Sequence, residues 1–492
     1  MKDRIQKILR MMLALALLLT SIGLNNVFAA GGGSITVNGA TVGKNYAVYK
    51  IFDLTHNGDK NVSYTIANEW KDFFTSGEGK AYIVDKNNAD NKLNSIVVDG
   101  NVKYINITDA NVAEFAKKAM GAIADKNKQA FQKATGETLK FTGLELGYYL
   151  VHPEGASEAA TGQSSIVSLT STMPDGEVTV KGIYPTIKKE AKSKSADYGE
   201  KVSFTITGKV PDPTGYKKYE YVLKDSLPKG LTIDENSIKV SIGEVDKTEN
   251  ITKNITKAAE GQNLTVTFNI LDLIKNNSVK VGQEIKLTYD TTVNKDFVLG
   301  NQGEENKAHL EFSNDPKDEN KIEKTPDEKV KVYSGKIKVI KYEKGDKNKK
   351  LEGAQFVLKN SQGKFYKLDE SNDQKKVTWV DEEKDATVLT SKKDGELEFT
   401  GIKAGTYYLK ETKAPDGYNL LTEEKDVILK DGSNKADTAV NMEATSDVEN
   451  SSGAELPKVG GAGTKLFAVI GGAVILYAAL SLVRRKIKLQ ER

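Results

Sequence analysis

At 492 residues the chain is too long for one ordinary domain and suggests about three. Its composition, 38% hydrophobic and 28% charged, suits folded domains rather than disorder. No cysteine and only 3 histidines (His56, His152 and His309, on separate segments) exclude disulfides, thiol catalysis and zinc ribbons, and the formal charge of +3 is a property of the basic ends, leaving a mildly acidic body that argues against a nucleic-acid partner.

In chain order, MKDRIQKILRMMLALALLLTSIGLNNVFAA has a positive start, an apolar run and small residues at Ala29 and Ala30. It reads as a secretory signal peptide, residues 1–29, with Val27 three positions before the cut. Export without cysteine raises the question of what staples the domains, because small extracellular domains often rely on disulfides. From residue 30 onward, Val, Ile, Thr and Tyr recur at short spacing between turn signals, so the body is expected to be mainly β. Composition breaks near residue 185 and over 313–335 divide it into domains 30–183, 184–333 and 334–446, with a polar stalk at 447–455.

The first domain carries the best helix candidate, DANVAEFAKKAMGAIADKNKQAFQKAT, with Asp109 as its cap and Val112, Phe115, Ala116 and Ala119 on one face. FTGLELGYYLV (141–151) echoes FTGIKAGTYYLKE (399–411), and aligning the paired tyrosines puts His152 where Glu411 stands. In the middle domain Pro185, Ile187 and Lys189 share a strand face, as do Tyr219, Tyr221, Leu223 and Asp225, and again Asn306, Ala308, Leu310, Phe312 and Asn314. Lys188 points the other way. No crosslink is expected in the first domain: Lys50 suits a buried position, but the closing VTVKG supplies no asparagine.

The third domain poses a sharper puzzle. In YYLKETKAPDGY, alternation puts Tyr407, Leu409 and Glu411 on one face, so a carboxylate follows two core residues inward. In its opening strand Ile337, Val339 and Lys341 do the same with a lysine, and Asn441 sits in the closing TAVNMEAT. A buried, unpaired ammonium or carboxylate costs several kcal/mol, and such groups tend to neutralise instead. A neutral lysine amine held against an asparagine amide is placed to attack it and expel ammonia.

The twelve residues YYLKETKAPDGY match each fixed position of the E-box of Gram-positive pilins, so residues 334–446 resemble a CnaB-type immunoglobulin-like domain of a sortase-assembled pilus. The resemblance implies a Lys341–Asn441 isopeptide with Glu411 as its catalytic acid. Residues 184–333 resemble a CnaA-type pilin domain, which implies Lys189–Asn314 with Asp225 as catalyst and Asn306 as runner-up acceptor. The fold expected is therefore a mainly β chain of tandem immunoglobulin-like (CnaA/CnaB-type) β-sandwich domains, with a helix in the first. Relatives close their first domain with a lysine that receives the preceding subunit. Lys181 takes that place here, with Lys188 in reserve, although Thr186 follows Pro185 where a lysine is usual.

At the C-terminus Leu456, Pro457, Lys458, Val459 and Gly460 precede a glycine-rich spacer, 18 uncharged residues (466–483) and RRKIK. That order resembles a cell-wall sorting signal, with valine in place of the usual threonine. The whole resemblance implies the major structural subunit of a covalently polymerised pilus, anchored to the cell wall and supporting adhesion. The alternative is a wall-anchored adhesin or basal minor pilin that is never polymerised. Implied partners are a sortase, further copies of the chain, minor pilins, a peptidoglycan precursor and host surface molecules. No enzyme activity beyond single-turnover crosslinking, no cofactor and no metal are expected.

Overall fold

Strand after strand shows a period of two. In KVSFTITGK, the strand Lys201–Lys209, Val202, Phe204 and Ile206 are buried while their neighbours meet solvent, the pattern of a sheet packed on one face. The computed structural model describes residues 32–57, 61–86, 94–156, 158–159, 165–180, 182–436, 438–453 and helical residues between 469 and 481. The signal peptide, Lys181 and the Leu456–Gly460 motif lie outside the described residues. Among those described, no helix is long and apolar enough to cross a membrane. The chain divides into two units. One comprises the chain up to Lys192 with Ser203–Thr291 and Glu305–Val330; the other comprises Ser193–Val202, Thr292–Glu304 and the chain from Lys331 onward.

In the first unit, strand Gly33–Asn38 lies between Asp175–Thr179 (parallel) and Thr138–Leu144 (antiparallel). A larger sheet is built around Asn45–Asn57, which pairs with Asn61–Ile66, Ala130–Lys133 and Gly147–Pro153. Between the two sheets lie Ile35, Val37, Tyr46, Val48, Phe141 and Val151. The other face of the larger sheet packs on the helix Val112–Gly121 through Tyr49, Phe52, Phe115 and Ala119, with Trp70 and Phe74 alongside.

That helix buries Val112, Phe115, Ala116 and Ala119 as expected, but it is shorter than its periodicity suggests and starts differently. Asn111, not Asp109, is the N-cap residue; its side-chain oxygen accepts from Thr108 N at 2.7 Å. The helix ends at Gly121, and Ala130–Lys133 becomes a strand paired to Asn45–Val48. Local propensity favoured helix there, and edge pairing with a buried sheet overrode it.

The middle region, also largely in the first unit, is an antiparallel sandwich. One sheet runs Lys188–Ala191, Lys201–Lys209, Glu284–Val293, Leu231–Ile242; the other runs Ile251–Ala258, Gly261–Phe268, Tyr221–Pro228, Glu304–Ser313, Ile322–Lys324.

In the second unit, strand Gly335–Glu343 is flanked by Glu396–Ile402 (antiparallel) and Glu443–Asn450 (parallel). The facing sheet is ordered Lys376–Val380, Phe365–Asp369, Gln355–Asn360, Gly405–Lys413, Lys425–Asp431, Val440–Asn441. The closing strand continues through residues read from sequence as the start of a polar stalk at 447. They look polar because only alternate ones, Ser446, Val448 and Asn450, turn inward.

Candidate functional site

The Lys341 strand is buried at Ile337, Val339 and Lys341, which places the lysine amine inside the sandwich. Glu411 enters from the facing sheet. Parallel pairing sets Lys341 opposite Val448, so the next residue on that face of the closing strand is Asn450. Lys341 Nζ lies in direct contact with Asn450 Oδ1 and 3.4 Å from Glu411 Oε1. Asn450 Nδ2 donates to Glu411 Oε2 at 2.9 Å and to Asn419 O at 2.6 Å, while Leu421 N also donates to Glu411 Oε2 at 2.8 Å. Lysine, glutamate and asparagine are at most 3% exposed. Burial pushes the Lys341 amine down to about 8 against the pull of Glu411. Roughly a tenth of such amines are neutral at pH 7, far more than for an ordinary lysine.

Asn441, the acceptor expected from sequence, is not here. It is exposed, in a short strand paired to Lys430 of the other sheet. The chain changes sheets after Asn441, and only then runs beside Lys341. Asn450 was missed because it falls in the stretch read as stalk; the signal available was the alternation Ser446, Val448, Asn450.

The middle region repeats the theme with different parts. Lys189 Nζ lies 2.5 Å from Asp225 Oδ2 and 3.0 Å from the Tyr289 hydroxyl. That hydroxyl donates to Asp225 Oδ2 at 2.5 Å and accepts from Asn306 Nδ2 at 2.8 Å. All four side chains are buried, and Asn306 Oδ1 and Asp225 Oδ1 have no hydrogen-bond partner among the described residues. Burial pushes Lys189 down to about 8 against Asp225, and burial pushes the Asp225 carboxyl up. Lys189 belongs to one sheet, and Asp225 and Asn306 to the other.

Asn314, preferred over Asn306 from sequence, is absent from this cluster. It shares the inward parity of Asn306, but eight residues along a strand is about 26 Å, and it sits beside Gly155 at the far end. Parity alone could not separate the two; position along the strand does. Tyr289 carried no sequence signal, being one inward tyrosine among many. Lys188 is exposed and ion-paired to Glu190 at 2.5 Å.

Two other lysines with low exposure stay cations. Lys50 pairs with Asp53 at 2.6 Å and with Glu145, and Lys128 pairs with Asp315 at 2.7 Å and with buried Glu154. Burial would lower both, but their carboxylates outweigh it and raise them. Charged amines are not nucleophiles, so neither resembles Lys189 or Lys341. No group of residues suited to a metal ion occurs among the described residues.

His152 does not occupy the place of Glu411. Tyr149 and Tyr407 each donate a hydroxyl to the carbonyl four residues back, Glu145 O at 2.6 Å and Lys403 O at 2.7 Å. Gly143 and Gly401, both with positive φ, open the two hairpins. That gap-free match puts Pro153, not His152, opposite Glu411. His152 is buried among Lys128 and Asp315, and burial, with Lys128, pushes it down to about 4. The folded imidazole is neutral while the unfolded one charges below its ordinary 6.5, so its share of stability is full above 6.5 and lost as the pH falls toward 4. His152→Leu is expected to shrink the fall in melting midpoint between those two pH values. Glu154, raised by burial, acts in the opposite sense but is present in both chains. Equal acid sensitivity of the two would refute this role.

Modular β-sandwiches that each bury a lysine, a carboxylate and an asparagine in one cluster define a narrow class of protein. Residues 335–444 match the family model described as SpaA, a prealbumin-like fold domain, and residues 192–316 match Gram-positive pilin backbone subunit 2, Cna-B-like domain. The latter description differs from the CnaA-like reading of the middle region. The pilus 2b backbone protein of group B streptococcus is 30% identical over 55% of this chain and 99% of its own, with a TM-score of 0.43. The chain belongs to the Gram-positive backbone pilin family. The trypsin-resistant surface T6 protein of Streptococcus pyogenes serotype M6 is 26% identical over 311 residues, 58% of this chain and 50% of that relative, so the match spans about half the length of this curated relative. The solved T6 backbone pilin of S. pyogenes is 16% identical, covers 82% of this chain and 81% of its own, and has a TM-score of 0.50, a likeness of fold.

Proposed function

We propose that this chain is the shaft-forming subunit of a covalent, cell-wall-anchored pilus, stiffened by Lys341–Asn450 and Lys189–Asn306 isopeptide bonds. The observation that carries this reading is the contact of the Lys341 amine with the Asn450 amide, beside Glu411 and away from water. The amine attacks Asn450 Cγ and gives up a proton to Glu411, Glu411 passes a proton to the departing nitrogen, and the Cγ–Nδ2 bond breaks to release ammonia. The new bond joins the opening and closing strands, which run side by side. A pull on the ends of that region then loads a covalent bond rather than a ladder of hydrogen bonds. The middle cluster performs the equivalent reaction between two sheets, with Asp225 as the carboxylate.

Assembly rests on the sequence motifs. A sortase cleaves between Val459 and Gly460 and holds the subunit as a thioester. Lys181 of another subunit then resolves it, with Lys188 as the alternative acceptor. Repetition gives a head-to-tail fibre, and a last transfer to a peptidoglycan precursor anchors it. The test is a sortase reaction with the purified chain, read as a ladder of covalent multimers. Lys181→Ala should abolish the ladder and Lys188→Ala should leave it intact. A ladder that survives both changes would rule out these acceptors, and the absence of any ladder from the parent would favour an unpolymerised adhesin or minor pilin.

A further inference from the structure

The two clusters differ in how the carboxylate meets the amide. Glu411 touches the Asn450 nitrogen directly, at 2.9 Å. Asp225, one methylene shorter, holds the Lys189 amine, and its path to Asn306 runs through the Tyr289 hydroxyl. A phenol hydroxyl has one proton to donate and two lone pairs. All are engaged here: it donates to Asp225 Oδ2 and accepts from Lys189 Nζ and Asn306 Nδ2. The ring is fixed by stacking on Phe204, with centroids 5.4 Å apart and planes 22° from parallel. The oxygen therefore sits between nucleophile, acid and leaving group, with no freedom to serve another partner.

We propose that Tyr289 is a catalytic residue of the middle cluster, relaying a proton from Asp225 to the departing nitrogen of Asn306. This rests on the reading of Lys189 and Asn306 as a crosslinking pair. The Lys189 amine forms a bond to Asn306 Cγ and gives up a proton to Asp225. Once Asp225 holds that proton, the hydrogen-bond chain reverses: Asp225 donates to the Tyr289 oxygen, and Tyr289 donates to Asn306 Nδ2. The Cγ–Nδ2 bond breaks and ammonia leaves. One amine and one primary amide become one secondary amide and ammonia, and both Asp225 and Tyr289 end as they began. In the third region no hydroxyl is needed, because the longer glutamate closes the same gap.

The experiment follows crosslinking in the full chain by peptide mapping, reading the joined Lys189 and Asn306 peptides against time. The joined Lys341 and Asn450 peptides in the same sample report an intact third region. Tyr289→Phe keeps the ring and removes the hydroxyl; it should slow the middle crosslink by about 100-fold or more, the scale of a lost general acid, without touching the other. Adding Asp225→Glu to Tyr289→Phe should restore the crosslink, since the longer carboxyl reaches Asn306 unaided. A tyrosine that only packs or orders the core would not be rescued that way. Crosslinking in Tyr289→Phe at the parent rate, or no rescue by the double change, overturns the relay alone. A parent chain without joined Lys189 and Asn306 peptides overturns the crosslink reading and the relay together.

Discussion

Changing Glu411 to Ala is expected to return the mass of one ammonia to the chain and to leave Lys341 and Asn450 on separate peptides after digestion. Asn450→Ala should do the same, whereas Asn441→Ala, at an exposed site on another sheet, should leave the crosslink complete. The thermodynamic effect should be large. Lys341 and Asn450 are 109 residues apart in sequence. Closing a loop of that length restricts the unfolded chain by about 5 kcal/mol in the chain-entropy treatment. For a domain near 100 residues that corresponds to roughly 20–40 °C in melting midpoint. The Glu411→Ala chain also keeps a lysine in a site with no charge partner, which adds to the loss. A Glu411→Ala chain that still lacks the ammonia would refute Glu411 as the catalytic acid, and a parent with the plain sequence mass would return this cluster to a buried ion pair.

Asp225→Ala should restore a second ammonia, independently of the first, and Asn306→Ala should match it. Asn314→Ala should not, because that side chain lies beside Gly155 and takes no part in the Lys189 cluster. Joined peptides containing Lys189 and Asn306 would identify the bond, and peptides joining Lys189 to Asn314 would refute the assignment. Because the middle bond ties one sheet to the other, its loss should make the sandwich open more readily as well as unfold at lower temperature. Limited proteolysis of the Asp225→Ala chain is expected to cut first within the middle region. If both chains resist protease equally, the bond carries no mechanical role there.

The reactive lysines were legible in the sequence because a strand has a period of two. Ile337, Val339 and Lys341, or Pro185, Ile187 and Lys189, cannot point two apolar residues inward without taking the lysine along. Glu411 and Asp225 follow by the same rule, and all four side chains are buried. The acceptors were a harder problem. Periodicity says which face a residue takes, but it says neither how far along a strand it lies nor which strand stands beside it. Asn306 and Asn314 share a face, and only the register of Glu304–Ser313 against Tyr221–Pro228, which sets Ala308 opposite Asp225, makes Asn306 the adjacent residue on that face and leaves Asn314 six positions away.

What the sequence determined by itself was therefore local: alternating strands, inward lysines and carboxylates, a hairpin used twice, and the short motifs at the ends. Those depend on residues within a few positions of one another. The tertiary structure alone decided that the chain leaves one sheet after Asn441 and runs parallel to Gly335–Glu343 as far as Asn450. It also decided that a hydroxyl from Glu284–Val293 fills the gap a short aspartate leaves. Both outcomes depend on pairing between segments far apart in sequence, where packing and hydrogen-bond register, rather than the neighbouring residues, set which atoms meet.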